Sequence, residues 1–183
     1  MTELPTGHRL VPLHEEDAAS ALRIFNEHVS SGFAAYAEEP LPESFILSLL
    51  RSASGYPVIG VEQSDGGLVG FGLLRPYSPM PAFETTAVVT IFLSQAHTGR
   101  GLGSAVLERL IEEGKTKGIE RVLAHISSRN PRSIRFHARH GFVECGRFPG
   151  VAHKWGETFD IVWMVKALSE TEELESDPAK RGS

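Results

Sequence analysis

One stretch decides the fold: Val88-Val89-Thr90-Ile91-Phe92-Leu93, then Ser94-Gln95-Ala96-His97, then Thr98-Gly99-Arg100-Gly101-Leu102-Gly103-Ser104. An apolar run passes through a glycine-rich turn into a segment whose apolar residues Val106, Leu107, Leu110 and Ile111 fall at helical spacing. Gly114 and Gly118 supply the stop signals. The spacing predicts a strand, a turn and an amphipathic helix, the helix starting near Ser104. In the turn, Gly99, Gly101 and Gly103 alternate with Arg100 and Leu102, so the backbone is open to a ligand that any Cβ would hold off. Orphan N–H groups and the positive end of the helix dipole converge there, beside the Arg100 guanidinium, which suits a pyrophosphate. A dinucleotide fingerprint begun at Gly99 or Gly101 needs its third glycine where the chain has Ser104 or Val106, and the Gly-Lys-Ser/Thr of a Walker loop is absent. A connector that binds nothing is the bland alternative.

Around this unit, 183 residues with 41% hydrophobic content suffice for one domain with its own core, read here as residues 1–168. The net charge of −5 leaves no basic footprint for nucleic acid, and no apolar run is long enough to span a membrane. The expected partner is a small molecule, with neither nucleic acid nor membrane. A single cysteine, Cys145, excludes an internal disulfide, and with no secretory signal the expected compartment is the cytoplasm. Cys145 reads as a packed or surface thiol before a nucleophile. From Ser169 onward Glu, Ser, Asp, Lys and Gly leave too little to bury, so residues 169–183 are expected to be a disordered tail.

In chain order, residues 8–13 read as a first strand and the acidic cluster Glu15, Glu16, Asp17 opens a helix with Ala18, Leu22, Phe25 and Val29 on one face. The loop 33–40 carries Phe33 and Tyr36, either over a pocket or as core anchors. Pro42 suits the first turn of a second helix bearing Phe45, Ile46, Leu49 and Leu50. A hairpin over residues 57–74 turns at Ser64-Asp65-Gly66-Gly67. A proline loop (Pro76, Pro79, Pro81) then leads into the long strand that ends at Leu93. The β-branched run 119–126 is its expected parallel neighbour, because a helix joins the two. A short helix over 133–140 and two strands, near 143–148 and 159–165, complete a mixed sheet.

Taken together these residues resemble the GNAT superfamily of N-acetyltransferases, whose pyrophosphate loop reads Arg/Gln-x-x-Gly-x-Gly/Ala after a strand. Here it is Thr98-Gly99-Arg100-Gly101-Leu102-Gly103, with Thr98 departing from the usual Arg or Gln. Tyr36 with Glu39-Pro40, residues 130–142 and residues 154–160 are similar to the branch of phosphinothricin and methionine sulfoximine acetyltransferases. The resemblance covers most of residues 10–168. It implies an α/β (α+β) fold with a mixed, mostly antiparallel central sheet and helices on both faces. It implies acetyl-CoA as co-substrate, held by Ile91, Phe92, Leu93, Gly99, Arg100, Gly101, Leu102, Gly103, Ser104 and Asn130. The acceptor it implies is the primary amine of a small molecule, an amino acid or analogue, near Tyr36, Arg75 and Lys154. Members of the branch are often dimers, so a homodimer is expected.

Acetyl transfer to an amine needs a base for the ammonium, donors for an oxyanion and an acid for the departing sulfur. The resemblance assigns the donors to strand N–H groups at Phe92 and Leu93, where the family's sheet splays. His137 falls where many members carry a tyrosine acid and this branch a histidine, and an imidazole serves as acid or base near neutrality. Its bland alternative is a half-buried helix histidine with a structural hydrogen bond. His140 stands three residues on with no acidic neighbour, so no metal site is expected. Where the branch carries a glutamate proposed as base, this chain has Val88, and where its proline loop tends to be basic, this chain has Ser78 and Met80. Two other readings follow: an acyl-CoA sensor with weak or no catalysis, and a protein lysine or N-terminal acetyltransferase.

Overall fold

Seven strands form one sheet in the order β1-β2-β3-β4-β5-β7-β6 in the computed structural model, which describes residues 4–168. The expected tail at 169–183 lies outside the described residues. The elements are β1 (His8–Pro12), α1 (Ala18–Ser31), α2 (Glu43–Ser52), β2 (Val58–Gln63), β3 (Leu68–Pro76), β4 (Thr86–Leu93), α3 (Leu102–Thr116), β5 (Arg121–Ser127), α4 (Pro131–Arg139), β6 (Val143–Lys154) and β7 (Glu157–Ala167). Every neighbouring pair is antiparallel except β4 and β5, which α3 connects as a parallel crossover. No helix among the described residues is long and apolar enough to cross a membrane.

Strand alternation sorts the core into two layers. Ala87 and Val89 of β4, with Val122, Ala124 and Ile126 of β5, face Leu102, Val106, Leu107 and Leu110 of α3. Phe71 and Leu73 of β3 face α1 and α2 through Ala21, Ile24, Phe25, Ile46 and Leu50. Each large side chain buried in this way contributes about 1.5–3 kcal/mol. Helix α3 lies tight against β3 because Gly72 has no Cβ, which would sit 2.5 Å from Val106 Cγ1.

Two boundaries differ from expectation for local reasons. Pro42, with φ −77° and ψ 163°, is the residue before α2 instead of part of its first turn. The last two strands are longer than expected and meet in a tight hairpin at Trp155 (φ 51°) and Gly156 (φ 77°). Such a turn calls for positive φ at both central residues, a need that Asn-Gly signals and Trp-Gly conceals. Pro149 and Gly150 lie within β6, where the ladder shifts register between Phe148 and Ala152.

What positions the site is an incomplete ladder. Strands β4 and β5 pair only from Thr86↔Arg121 to Val88↔Leu123. β4 stays paired to β3 as far as Leu93, and β5 to β7 as far as Ser127. Beyond Val88 and Leu123 the two strands therefore part, and a cleft opens in the middle of the sheet.

Candidate active site

Strand parity decides which main-chain groups line the cleft. The Tyr77 N–H donates to Thr86 O (3.1 Å) and the Ser94 N–H to Val69 O (2.8 Å), so even-numbered residues of β4 turn their main chain to β3. Odd-numbered residues turn to β5, as the Glu120 N–H on Thr85 O (2.8 Å) confirms at the start of the strand. Past Val88, Ile91 then presents its N–H and C=O to the cleft with no strand partner. Leu93 presents its N–H, while its carbonyl accepts from His28 Nε2 at 2.7 Å. Phe92 is a correction: its main chain faces β3, and its ring packs against Phe25 (4.8 Å between centroids), His28 (5.3 Å) and Phe71 (5.9 Å). The donors that the cleft offers to an oxyanion are the N–H groups of Ile91 and Leu93.

The glycine turn continues this edge. Gly99 (φ 78°) and Gly101 (φ 85°) both sit in the left-handed region, and α3 starts at Leu102, ahead of the expected Ser104. No side chain caps α3, and its first helical bond is Ala105 N–H to Gly101 O. The N–H groups of Leu102, Gly103 and Ser104 therefore have no side-chain acceptor, and the turn fits a pyrophosphate. Thr98 closes the turn instead, donating its hydroxyl to Gln95 O at 2.9 Å. Gly101→Val forces a β-branched residue to a φ it scarcely adopts, so the loop itself distorts. Calorimetry is expected to show acetyl-CoA affinity reduced at least 10-fold, and Arg100→Ala to lose less because Arg100 is exposed and its charge screened. Unchanged affinity in the glycine variant would remove the turn from the cofactor site.

Helix α4 brings further groups to the same end. Asn130 Oδ1 accepts from the Ser133 N–H at 3.2 Å and caps α4. Arg132 Nη2 lies 3.2 Å from where a Cβ on Gly99 would stand, placing a second guanidinium over the turn. Arg132 carries no signal in the sequence, since its neighbour is the loop over thirty residues earlier. His137 is buried, its ring edge-on to Phe136 (5.1 Å) and Phe142 (5.0 Å). Its Nδ1 is 2.9 Å from Ser133 O, which only accepts, so Nδ1 carries the proton and Nε2 the lone pair. Burial holds the imidazole below its ordinary pKa, with the Ser133 carbonyl opposing and His140 adding to the effect.

Three residues expected at the acceptor side part company. Tyr36 turns its hydroxyl onto His125, 3.1 Å from Nδ1 and 3.2 Å from the carbonyl. Desolvation pushes that phenol up to about 12, so it remains a donor throughout the working range. Arg75 pairs in register with Val88 beside the cleft. Lys154 is the second correction: fully buried, it donates to Val29 O (2.7 Å), Gly32 O (2.6 Å) and Ala35 O (2.9 Å). An ammonium has three protons and all are taken, so none is left for a substrate. Lys154 instead ties the end of α1 and the loop after it to the β6–β7 hairpin, where its Nζ also lies 4.1 Å from the Trp155 ring centroid. Among the described residues no group of His, Cys, Asp and Glu could hold a metal ion.

Comparison with known proteins gives this geometry its relatives. The chain is 30% identical to an L-methionine sulfoximine/L-methionine sulfone acetyltransferase of Salmonella typhimurium, covering 84% of this chain and 91% of that protein. It is 28% identical to an L-amino acid N-acyltransferase of Escherichia coli, covering 86% and 92% respectively. In structure it is similar to a GNAT superfamily phosphinothricin acetyltransferase from Sinorhizobium meliloti in complex with acetyl-CoA, with a TM-score of 0.84, 26% identity and coverage of 93% and 95%. Residues 21–142, more than half of the chain, match the acetyltransferase (GNAT) family, and the protein belongs to that family.

Proposed function

We propose that this protein is an acetyl-CoA-dependent N-acetyltransferase acting on the primary amine of a small amino acid or analogue. One observation carries the reading: two sets of unpaired main-chain donors, Ile91 and Leu93 on the parted edge of β4 and Leu102, Gly103 and Ser104 at the uncapped start of α3, flank the short loop that joins the two elements. When bound there, acetyl-CoA supplies a thioester carbon open to attack by nitrogen. The N–H groups of Ile91 and Leu93 orient its carbonyl, those of Leu102, Gly103 and Ser104 with Arg100 and Arg132 hold its phosphates, and Asn130 stands beside them. His137 handles a proton from the α4 side: with Nδ1–H fixed on Ser133, its neutral Nε2 takes the proton that leaves nitrogen as the amide forms and returns it to the departing sulfur.

The acceptor side supports a singly charged substrate. Ring contacts join Phe159, Tyr36, His125, Trp163, Tyr77 and Phe83 in one chain beside the parted strands, and Arg75 is a cation at the cleft on β3. A carboxylate on Arg75 leaves the amine to enter the cleft. Arg75→Gln is expected to raise KM for an amino acid roughly 10–100-fold, the value of a charge-assisted hydrogen bond, and to leave acetyl-CoA affinity unchanged. The deciding assay is thiol release from acetyl-CoA against a panel of amino acids, L-methionine sulfone and phosphinothricin. A singly anionic amino acid is expected to exceed phosphinothricin in kcat/KM; binding of acetyl-CoA with no turnover on any amine would favour a sensor. The reading extends to a cytoplasmic homodimer. The single cysteine supports a reducing compartment, and the unpaired outer edge of β6, with Phe148 and Val151 more than half exposed, supports self-association that light scattering would detect.

A further inference from the structure

His125 lies in the middle of β5, and three facts single it out. Its strand neighbours Ala124 and Ile126 pack toward α3, so its side chain emerges on the opposite face, with Val88 and Leu123. It is two residues past Leu123, the last of β5 to pair with β4, and so stands at the mouth of the cleft. Its ring is held on both sides, by Tyr36 (5.8 Å) and by Trp163 (5.2 Å), its partner in register on β7.

The hydrogen bonds fix its tautomer. The phenol of Tyr36 has one proton for two contacts, and the His125 carbonyl only accepts. The phenol therefore donates to the carbonyl, and Nδ1–H donates to the phenol oxygen. Nε2 is left with its lone pair and makes no hydrogen bond among the described residues. On the strands bordering the cleft the other side chains of this face are Arg75, Val88, Thr90, Phe92 and Leu123, none able to take a proton near neutrality, and His28 of α1, on the same side, commits its Nε2 to the Leu93 carbonyl.

We propose that His125 is the general base of acetyl transfer, its Nε2 receiving the proton of the substrate ammonium while Tyr36 holds the ring in place. The proposal rests on the acetyltransferase reading above. The ammonium gives one proton to Nε2, and the freed nitrogen pair forms the N–C bond as the C–S bond breaks with its electrons on sulfur. A second proton leaves nitrogen and ends on that sulfur; the proton on His125 passes to water. The products are the amide, the free thiol and one proton. Burial first, and the field of Arg75 second, hold His125 below its ordinary pKa, which favours the neutral imidazole that a base must be. The groups facing it are Arg75 from β3 and Tyr36 from the loop after α1, while β7 contributes the uncharged Trp163.

The test uses the amine that the full-length wild type acetylates fastest. His125→Gln is expected to lower kcat by about 10²–10⁴-fold at pH 7 and to abolish the acid limb of the kcat/KM profile, which in the wild type lies on the acid side of the ordinary imidazole range, with acetyl-CoA affinity unchanged. Arg75→Gln should move that limb to higher pH, and Tyr36→Phe should cost less than His125→Gln. A His125→Gln enzyme with the wild-type rate and limb overturns the proposal alone; a wild type with no turnover overturns the acetyltransferase reading and the proposal with it. If His125→Gln does not fold, ¹⁵N NMR of the wild-type imidazole decides. Nδ1–H with bare Nε2 at pH 7 is expected, and an Nε2–H tautomer, or titration on the alkaline side of the ordinary imidazole range, refutes it.

Discussion

Lys154→Met is expected to destabilise the protein by about 3 kcal/mol or more, because each buried carbonyl left without its donor costs about 1–3 kcal/mol and this change orphans three. Methionine keeps the length and apolar stem of the side chain, so lost packing is a minor part of the effect. Val29 O ends the buried part of α1, and Gly32 and Ala35 belong to the loop that leads to Tyr36. The loss is therefore felt first where that loop meets the hairpin, whose Trp155 N–H is itself anchored on Glu38 Oε1 at 2.6 Å. At about 2–4 °C per kcal/mol for a chain of this size, the melting temperature should fall by roughly 6–12 °C. Acetyl-CoA affinity in the remaining folded protein should change little, since none of the hydrogen bonds of Lys154 reaches the phosphate turn itself. A variant that melts with the wild type but has a raised KM for the amine would return Lys154 to the substrate site.

The strand, turn and helix around Gly101 are legible in the sequence because each rests on local signals: an apolar run, residues free of Cβ, and apolar spacing at Val106, Leu107 and Leu110. Asp65-Gly66 likewise announces its hairpin. What was hidden depends on register or distance. Phe92 belongs to the right strand, yet whether its N–H faces the cleft is set by how β4 pairs with β3, and a shift of one residue reverses the answer. Lys154 matches a motif, but its three acceptors lie well over a hundred residues earlier in the chain. His125 sits within a β-branched run that reads as core strand, and its partner Tyr36 is 89 residues away. Nothing in the spacing of either residue connects them.

His137→Phe is expected to lower kcat by about 10²–10⁴-fold while leaving acetyl-CoA affinity near wild type. Phenylalanine fills the same space between Phe136 and Phe142, so the packing of α4 on β5 survives. What is lost is Nε2, together with one hydrogen bond to Ser133 O, whose removal costs about 1 kcal/mol. Catalytic and structural roles thus predict different columns of the same experiment. The catalytic role gives a large fall in turnover with a melting temperature lower by only about 2–4 °C. The structural role gives the stability loss and unchanged turnover per folded molecule. The two histidines are further separated by pH. His125 takes its proton from the bound ammonium before nitrogen can attack, and its ionisation in the free enzyme sets the acid limb of kcat/KM, so its loss removes that limb. His137 takes its proton only after nitrogen has begun to bond, so its loss lowers kcat at every pH and leaves that limb in place. A His137→Phe enzyme that lost the limb while a His125→Gln enzyme kept it would exchange the two roles.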